Sequence, residues 1–232
     1  MFQKIIVGCV LLISSLAIAQ ESVDNSIATD TVKIRDTKYR EDQFYFGITH
    51  SILQDKPPGF RQRSLSLGIQ TGFVRDFPVN AARTWAIAPG VGYSYLNLHH
   101  NLAPSNGAEF PSQVLESYDR NTISLHYLDF PLEIRWRTST PDSHKFWRIY
   151  TGFKACYLIT DKAVTSNDMA KFTSKNNGDL NKWVYGVYIS AGFNTWNVYM
   201  YYGLNSIYKN QVAPPSNNKV KAFNAGLMFY IL

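Results

Sequence analysis

Residues 64–73 read SLSLGIQTGF. Leu65, Leu67, Ile69, Thr71 and Phe73 alternate with Ser64, Ser66, Gly68, Gln70 and Gly72. A repeat of two marks a β-strand with unlike faces. On a strand that faces water the second face normally carries Lys, Glu or Thr, but here it is almost bare. One side of this strand seeks apolar surroundings, and the other is built for a space with little room.

The same pattern recurs along the chain. Period-two segments fall at about 43–51, 64–73, 85–97, 122–137, 147–160, 183–193, 196–205 and 220–232. The third sets Trp85, Ile87, Val91, Tyr93 and Tyr95 against Ala86, Ala88, Gly90, Gly92 and Ser94. That makes eight strands, an even number. The connections at 98–121 and 161–182 are long, those at 138–146 and 194–195 are short, and longer and shorter ones alternate. In an up-and-down barrel this puts the long loops at one end and the short turns at the other, as in transmembrane barrels. Trp85, Trp136, Trp147 and Trp196 sit at strand ends beside the short turns, and Trp183 sits beside a long loop. Their placement predicts aromatic girdles at two membrane interfaces.

A lipid-facing sheet must close, because an open edge leaves backbone groups unpaired. The inside of an eight-stranded barrel holds only side chains, so many inward positions must be Gly, Ala or Ser. In YLDFPLEIRW (residues 127–136), Phe130, Leu132, Ile134 and Trp136 oppose Asp129, Glu133, Arg135 and the following Arg137. Upstream the apolar phase passes to Ile123, Leu125 and Tyr127, which suggests either a bulge near Pro131 or an upper half standing above the membrane. The next strand places Arg148, Tyr150 and Lys154 opposite its apolar face. An Arg or Lys facing lipid at mid-depth costs about 2–4 kcal/mol. Asp129, Glu133, Arg135, Arg148 and Lys154 are therefore expected inside, as an ion network filling the lumen. A charged constriction in a narrow pore is the sharper alternative.

Residues 1–19 read as a secretory leader: Lys4, an apolar run, then Ala17-Ile18-Ala19 before Gln20. Residues 20–42 are polar and aperiodic, and are expected to be a flexible segment ahead of a barrel over 43–232. Cys9 lies in the leader, leaving Cys156 alone, so a disulfide framework is excluded. No later stretch approaches the roughly eighteen apolar residues of a membrane helix. Without Lys4 there are 22 basic and 17 acidic residues. That mild excess suits anionic lipid headgroups and, lacking a basic stripe, points away from nucleic acid.

The segments YLDFPLEIRW, KFWRIYTGF (145–153) and AGLMFYIL (225–232) resemble the small outer-membrane β-barrel family of Bacteroidetes-type bacteria, described as PorT-like or porin-family proteins. The resemblance spans about residues 41–232. It implies an eight-stranded outer-membrane barrel and a link to type IX secretion, and it supplies no catalytic residues.

His50, His99, His100 and His126 map to the loop-proximal strand ends, with Ser124 two residues from His126 on the same face. They are the only candidates for a lipid-modifying enzyme, and no carboxylate stands at a useful spacing to orient the histidine. A metal site at His99-His100 is disfavoured because adjacent strand residues point oppositely. There is no phosphate loop, CxxC or HExxH motif. The expectation is an all-β, eight-stranded antiparallel up-and-down transmembrane β-barrel with a filled lumen. It would have no cofactor, metal or enzymatic activity, and would act as a scaffold embedded in outer-membrane lipid that meets protein partners through its outer loops. A lipocalin-like periplasmic binding barrel is a further alternative, with the large apolar face turned inward.

Overall fold

The computed structural model describes residues 42–62, 65–103, 113–115, 120–138, 146–167, 170–209 and 219–231. The expected leader at 1–19 and all but the last residue of the segment at 20–42 lie outside them. Eight principal strands form the fold: β1 (Gln43–Gln54), β2 (Leu67–Val74), β3 (Trp85–His99), β4 (Arg120–Arg137), β5 (Trp147–Asn167), β6 (Trp183–Phe193), β7 (Trp196–Gly203) and β8 (Lys221–Ile231). Each pairs antiparallel with its chain neighbour, and β8 pairs β1 from Phe44↔Ile231 to Gln54↔Lys221. The sheet is closed, as a membrane-spanning sheet must be.

Connections after β2, β4 and β6 lie at one end, the turn end. The tightest is Asn194-Thr195, where Asn194 takes a φ of 55°, a conformation that asparagine tolerates better than most residues. Connections after β1, β3, β5 and β7 lie at the loop end.

The strand pattern resolves into an outside and an inside. Every strand carries exposed apolar residues on its outward face: Phe44, Ile69, Ile87, Leu132, Phe153, Ile189, Val198 and Leu227 are examples. Val198 is 54% exposed and Phe44 61%. A belt of that extent far exceeds the apolar patch that a soluble monomer shows to water. It turns the large apolar face outward, the reverse of the lipocalin-like alternative. The inward face of the opening segment is Ser66, Gly68, Gln70 and Gly72. Its bareness has a purpose, since a Cβ at Gly72 or Gly92 would land on the Tyr45 hydroxyl. Tyr45 crosses the lumen over two strands that have no side chains there.

Two expectations are corrected. The phase does not change in β4: Ile123, Leu125, Tyr127, Asp129, Glu133, Arg135 and Arg137 all point inward. What changes along β4 is the chemistry of the lumen, from ionic to apolar. Near Pro131 there is no bulge. Pairing with β3 lapses between Pro89↔Leu132 and Gly92↔Asp129 and resumes in the same register, because proline offers no N–H to the ladder. The bulge lies in β5, where His126↔Thr160 is followed by Tyr127↔Leu158. Ile159 is the extra residue. It and Thr160 both face outward, so the inward set passes from Lys154, Cys156 and Leu158 to Asp161 and Ala163.

The connections are also more ordered than expected. In the expected loop at 161–182, β5 continues to Asn167 and pairs with Ala170–Lys175 as a ribbon past the barrel. In the loop at 98–121, Leu102–Ala103 pairs with Gln113–Val114, and in the turn after β2, Phe77–Pro78 pairs with β3.

Candidate functional site

The lumen is stratified. At the turn end Arg137 donates from Nη2 to Asp76 Oδ2 at 2.7 Å, and Arg135 Nη1 reaches Asp76 Oδ1 at 3.4 Å. Arg135 Nε donates to Glu133 Oε2 at 2.7 Å, and Tyr188 Oη donates to Glu133 Oε1 at 2.8 Å. One level up, Lys154 Nζ donates to Asp129 Oδ2 at 3.2 Å and Gln70 Oε1 at 3.0 Å, while Ser94 donates to Asp129 Oδ1 at 3.1 Å. All these ions are buried, so each charge depends on its partners rather than on water.

The structure places Asp129, Glu133, Arg135, Arg148 and Lys154 together in the interior, but not in one network. Asp129–Lys154 forms one group and Glu133–Arg135 joins another. The second depends on Asp76, which sequence reasoning passed over because it lies in a turn. The signal was present: Asp76 continues the even-numbered inward phase of Gly68, Gln70, Gly72 and Val74. Arg148 belongs to neither group. Its guanidinium lies 4.5 Å from the Phe146 ring centroid and 5.6 Å from that of Tyr230, and its Nε and Nη1 find no hydrogen-bond partner among the described residues.

Above the ions the lumen becomes apolar. Leu53, Leu98, Leu125, Leu158, Leu180, Ile207 and Val220 are all at most 1% exposed and form a plug at the loop end. Between plug and ions lies a cavity of about 30 Å³, bordered by Gln70, Ser94, Tyr127, Lys154 and Asn224, room for about one water molecule. Further polar contacts knit the connections over the plug. Asn101 Nδ2 donates to Gly59 O and Leu115 O, Asn121 Nδ2 donates to His100 O and Leu102 O, and Asn181 Nδ2 donates to Ser206 O and Tyr208 O. His100 sits within this cap. Its Nδ1 accepts the Leu102 amide at 3.2 Å, which leaves the proton on Nε2, 3.1 Å from Tyr208 Oη. Burial, with His99 beside it, lowers its pKa to about 4.

On the outer wall, Trp85, Trp147 and Trp196 are exposed at the turn end, and Trp136 stands opposite Trp85. Phe193 and Phe229 extend that ring, with centroid separations of 5.4 Å to Trp147 and 4.8 Å to Trp196. Trp183 lies toward the loop end against Tyr157, at 5.0 Å, and Phe130, at 6.2 Å.

Ser124 and His126 share the outward face, as their spacing requires. They are not joined to each other. Tyr93 Oη pairs with His126 Nδ1 at 2.5 Å and Tyr95 Oη with Ser124 Oγ at 3.2 Å. His99 faces outward and His100 inward. Among the described residues no group of three His, Cys, Asp or Glu is placed to hold a metal.

A closed barrel with an apolar outer belt, tryptophans toward both rims and ions held inside is an integral membrane β-barrel. Over residues 19–209 the sequence matches the family described as "Outer membrane protein beta-barrel domain", and the chain belongs to that family. The protein is therefore an outer-membrane barrel. Among solved structures it is similar to Ail, the attachment invasion locus protein of Yersinia pestis, at 12% identity and a TM-score of 0.38, covering 82% of this chain and 97% of that one. Comparison with curated protein sequences gives no match.

Proposed function

We infer that this chain is a sealed, membrane-anchored interaction barrel that meets a protein partner at its loop end. The observation that carries this reading is the plug: a conducting barrel does not close its lumen with a layer of leucines and then knit its loops above it. The ribbon at the loop end supplies the contact surface. Phe172, 65% exposed, stands on it clear of the lipid belt, and an exposed aromatic flanked by polar residues is a common interface anchor. No reaction is assigned, since Ser124 and His126 are each engaged by a tyrosine rather than by one another. The type IX secretion link implied by the PorT-like resemblance is one form such partnership takes.

The test is a photo-crosslinking amino acid placed at Phe172 in intact cells, alongside planar-bilayer recordings. The reading expects a discrete protein adduct and a silent bilayer. Conductance that falls when Glu133 is changed to Gln, with no adduct, would replace it with the narrow-channel alternative.

A further inference from the structure

The outward face of β4 and β5 changes character above the girdle. Trp147 and Tyr157 stand ten residues apart on β5; at about 3.3 Å per residue and a tilt near 40° that climbs roughly 25 Å, the height of an outer-membrane apolar band. Tyr157 packs on Trp183 and so marks the upper interface. Past Tyr157 and the bulge residue Ile159, the outward face turns largely polar, with Thr160 and Lys162 on β5 and His126 and Ser124 on β4.

Antiparallel register sets these residues in rows. One row runs Tyr95↔His126↔Thr160. The next, nearer the loop end, runs Asn97↔Ser124↔Lys162↔Lys175. Directly opposite residues share a face with Cβ atoms about 4.5–5.5 Å apart, so Lys162 and Lys175 face each other across one rung. Both are exposed, and neither makes an ion pair among the described residues. Like charges directly opposed destabilise a sheet. Lys171 lies on the same face two rungs further out, opposite Ser166. Beside the lysines the Tyr95–Ser124 hydroxyl pair and the Tyr93–His126 pair add donors, and with Nδ1 engaged by Tyr93, His126 keeps Nε2 for another partner.

We propose that this outward face, with Lys162 and Lys175 beside Ser124 and one row above His126, binds the phosphorylated headgroup of an outer-leaflet lipid. Height, charge and orientation agree. The lysines stand roughly 10 Å above the girdle by the same rise per residue, at headgroup level. An anion between them relieves their repulsion. The face points away from the lumen, toward the lipid neighbours. This goes beyond the proposed function, because the ribbon's two faces divide the work: Phe172 lies on the opposite face from Lys171 and Lys175, so lipid and protein contacts do not compete.

The test uses the whole barrel in phosphatidylcholine nanodiscs doped with a bisphosphorylated glucosamine-disaccharide lipid or with its dephosphorylated counterpart. Native mass spectrometry reads the retained lipid, and the boiled-versus-unboiled gel shift checks folding. The expected result is a lipid adduct with the phosphorylated form alone, lost in the Lys162→Gln/Lys175→Gln double variant and weakened in His126→Ala. Both lysines are exposed, so the double variant keeps its gel shift. An adduct equal in wild type and double variant, or equal for both lipids, overturns the proposal. Inorganic phosphate displacing the lipid at millimolar concentration would make this a soluble-anion site and also overturn the lipid assignment.

Discussion

Lys154 and Arg148 lie six residues apart on one strand, both buried, yet the lumen treats them differently. Lys154 neutralises Asp129 and satisfies Gln70; Arg148 rests on aromatic rings and balances no carboxylate among the described residues. Removing one partner of a buried pair strands the other charge, at about 3–5 kcal/mol, whereas exchanging an unbalanced ion for an apolar group of similar volume is neutral or favourable. Lys154→Met is therefore expected to lower the unfolding midpoint of the barrel in detergent, followed by gel shift in urea, and Arg148→Met to leave it unchanged or raise it. Glycine is decided at the same scale. A Cβ on Gly186 would land on the Tyr201 ring, so Gly186→Ala should destabilise by about 1–3 kcal/mol through overpacking. Tyr201→Leu in the same chain should recover most of that loss, and a double-mutant cycle in the same assay reads the recovery.

At the scale of strands, alternation made most of the fold legible, because lipid demands a single apolar face and backbone closure. The eight strands were readable for that reason. Their upper ends were not. Past the apolar belt, inward Ile123, Leu125 and Leu158 are as greasy as the outward residues below, so hydropathy there no longer distinguishes inside from outside. That is why the sequence suggests a phase shift in β4, when the extra residue is Ile159 in β5. The ion network was legible only within strands: alternation placed Glu133 and Lys154, while Asp76 entered from a turn and the grouping depended on cross-strand geometry. The bulge makes a specific prediction. Deleting Ile159 leaves Leu158 inward, Thr160 outward and Asp161 inward, so the variant should still assemble and migrate as a compact barrel without boiling. Deleting Thr151 turns either Arg148 or Lys154 toward lipid, at about 2–4 kcal/mol, and should sharply reduce the unboiled compact form.

For the whole molecule, the decisive feature is that the two ends are closed by different means: ions and aromatics at the turn end, leucines and a hydrogen-bonded cap at the loop end. The cap carries a titratable element. Above pH 6.5 His100 is neutral folded and unfolded, and its part of the cap is at full strength. As pH falls from 6.5 toward about 4, the unfolded chain takes up the proton while the folded site refuses it. Stability is lost across that window, by about 3 kcal/mol in all for a shift of that size. His100→Gln should flatten that part of the pH profile of the unfolding midpoint, leaving only the contributions of other groups. The lumen has one more consequence. Cys156 points into it and is buried beneath the plug, and it is the sole cysteine among the described residues. A membrane-permeant maleimide should therefore modify nascent or stalled chains and spare assembled ones, so that a single thiol counts, inside living cells and without any added tag, how many copies have closed.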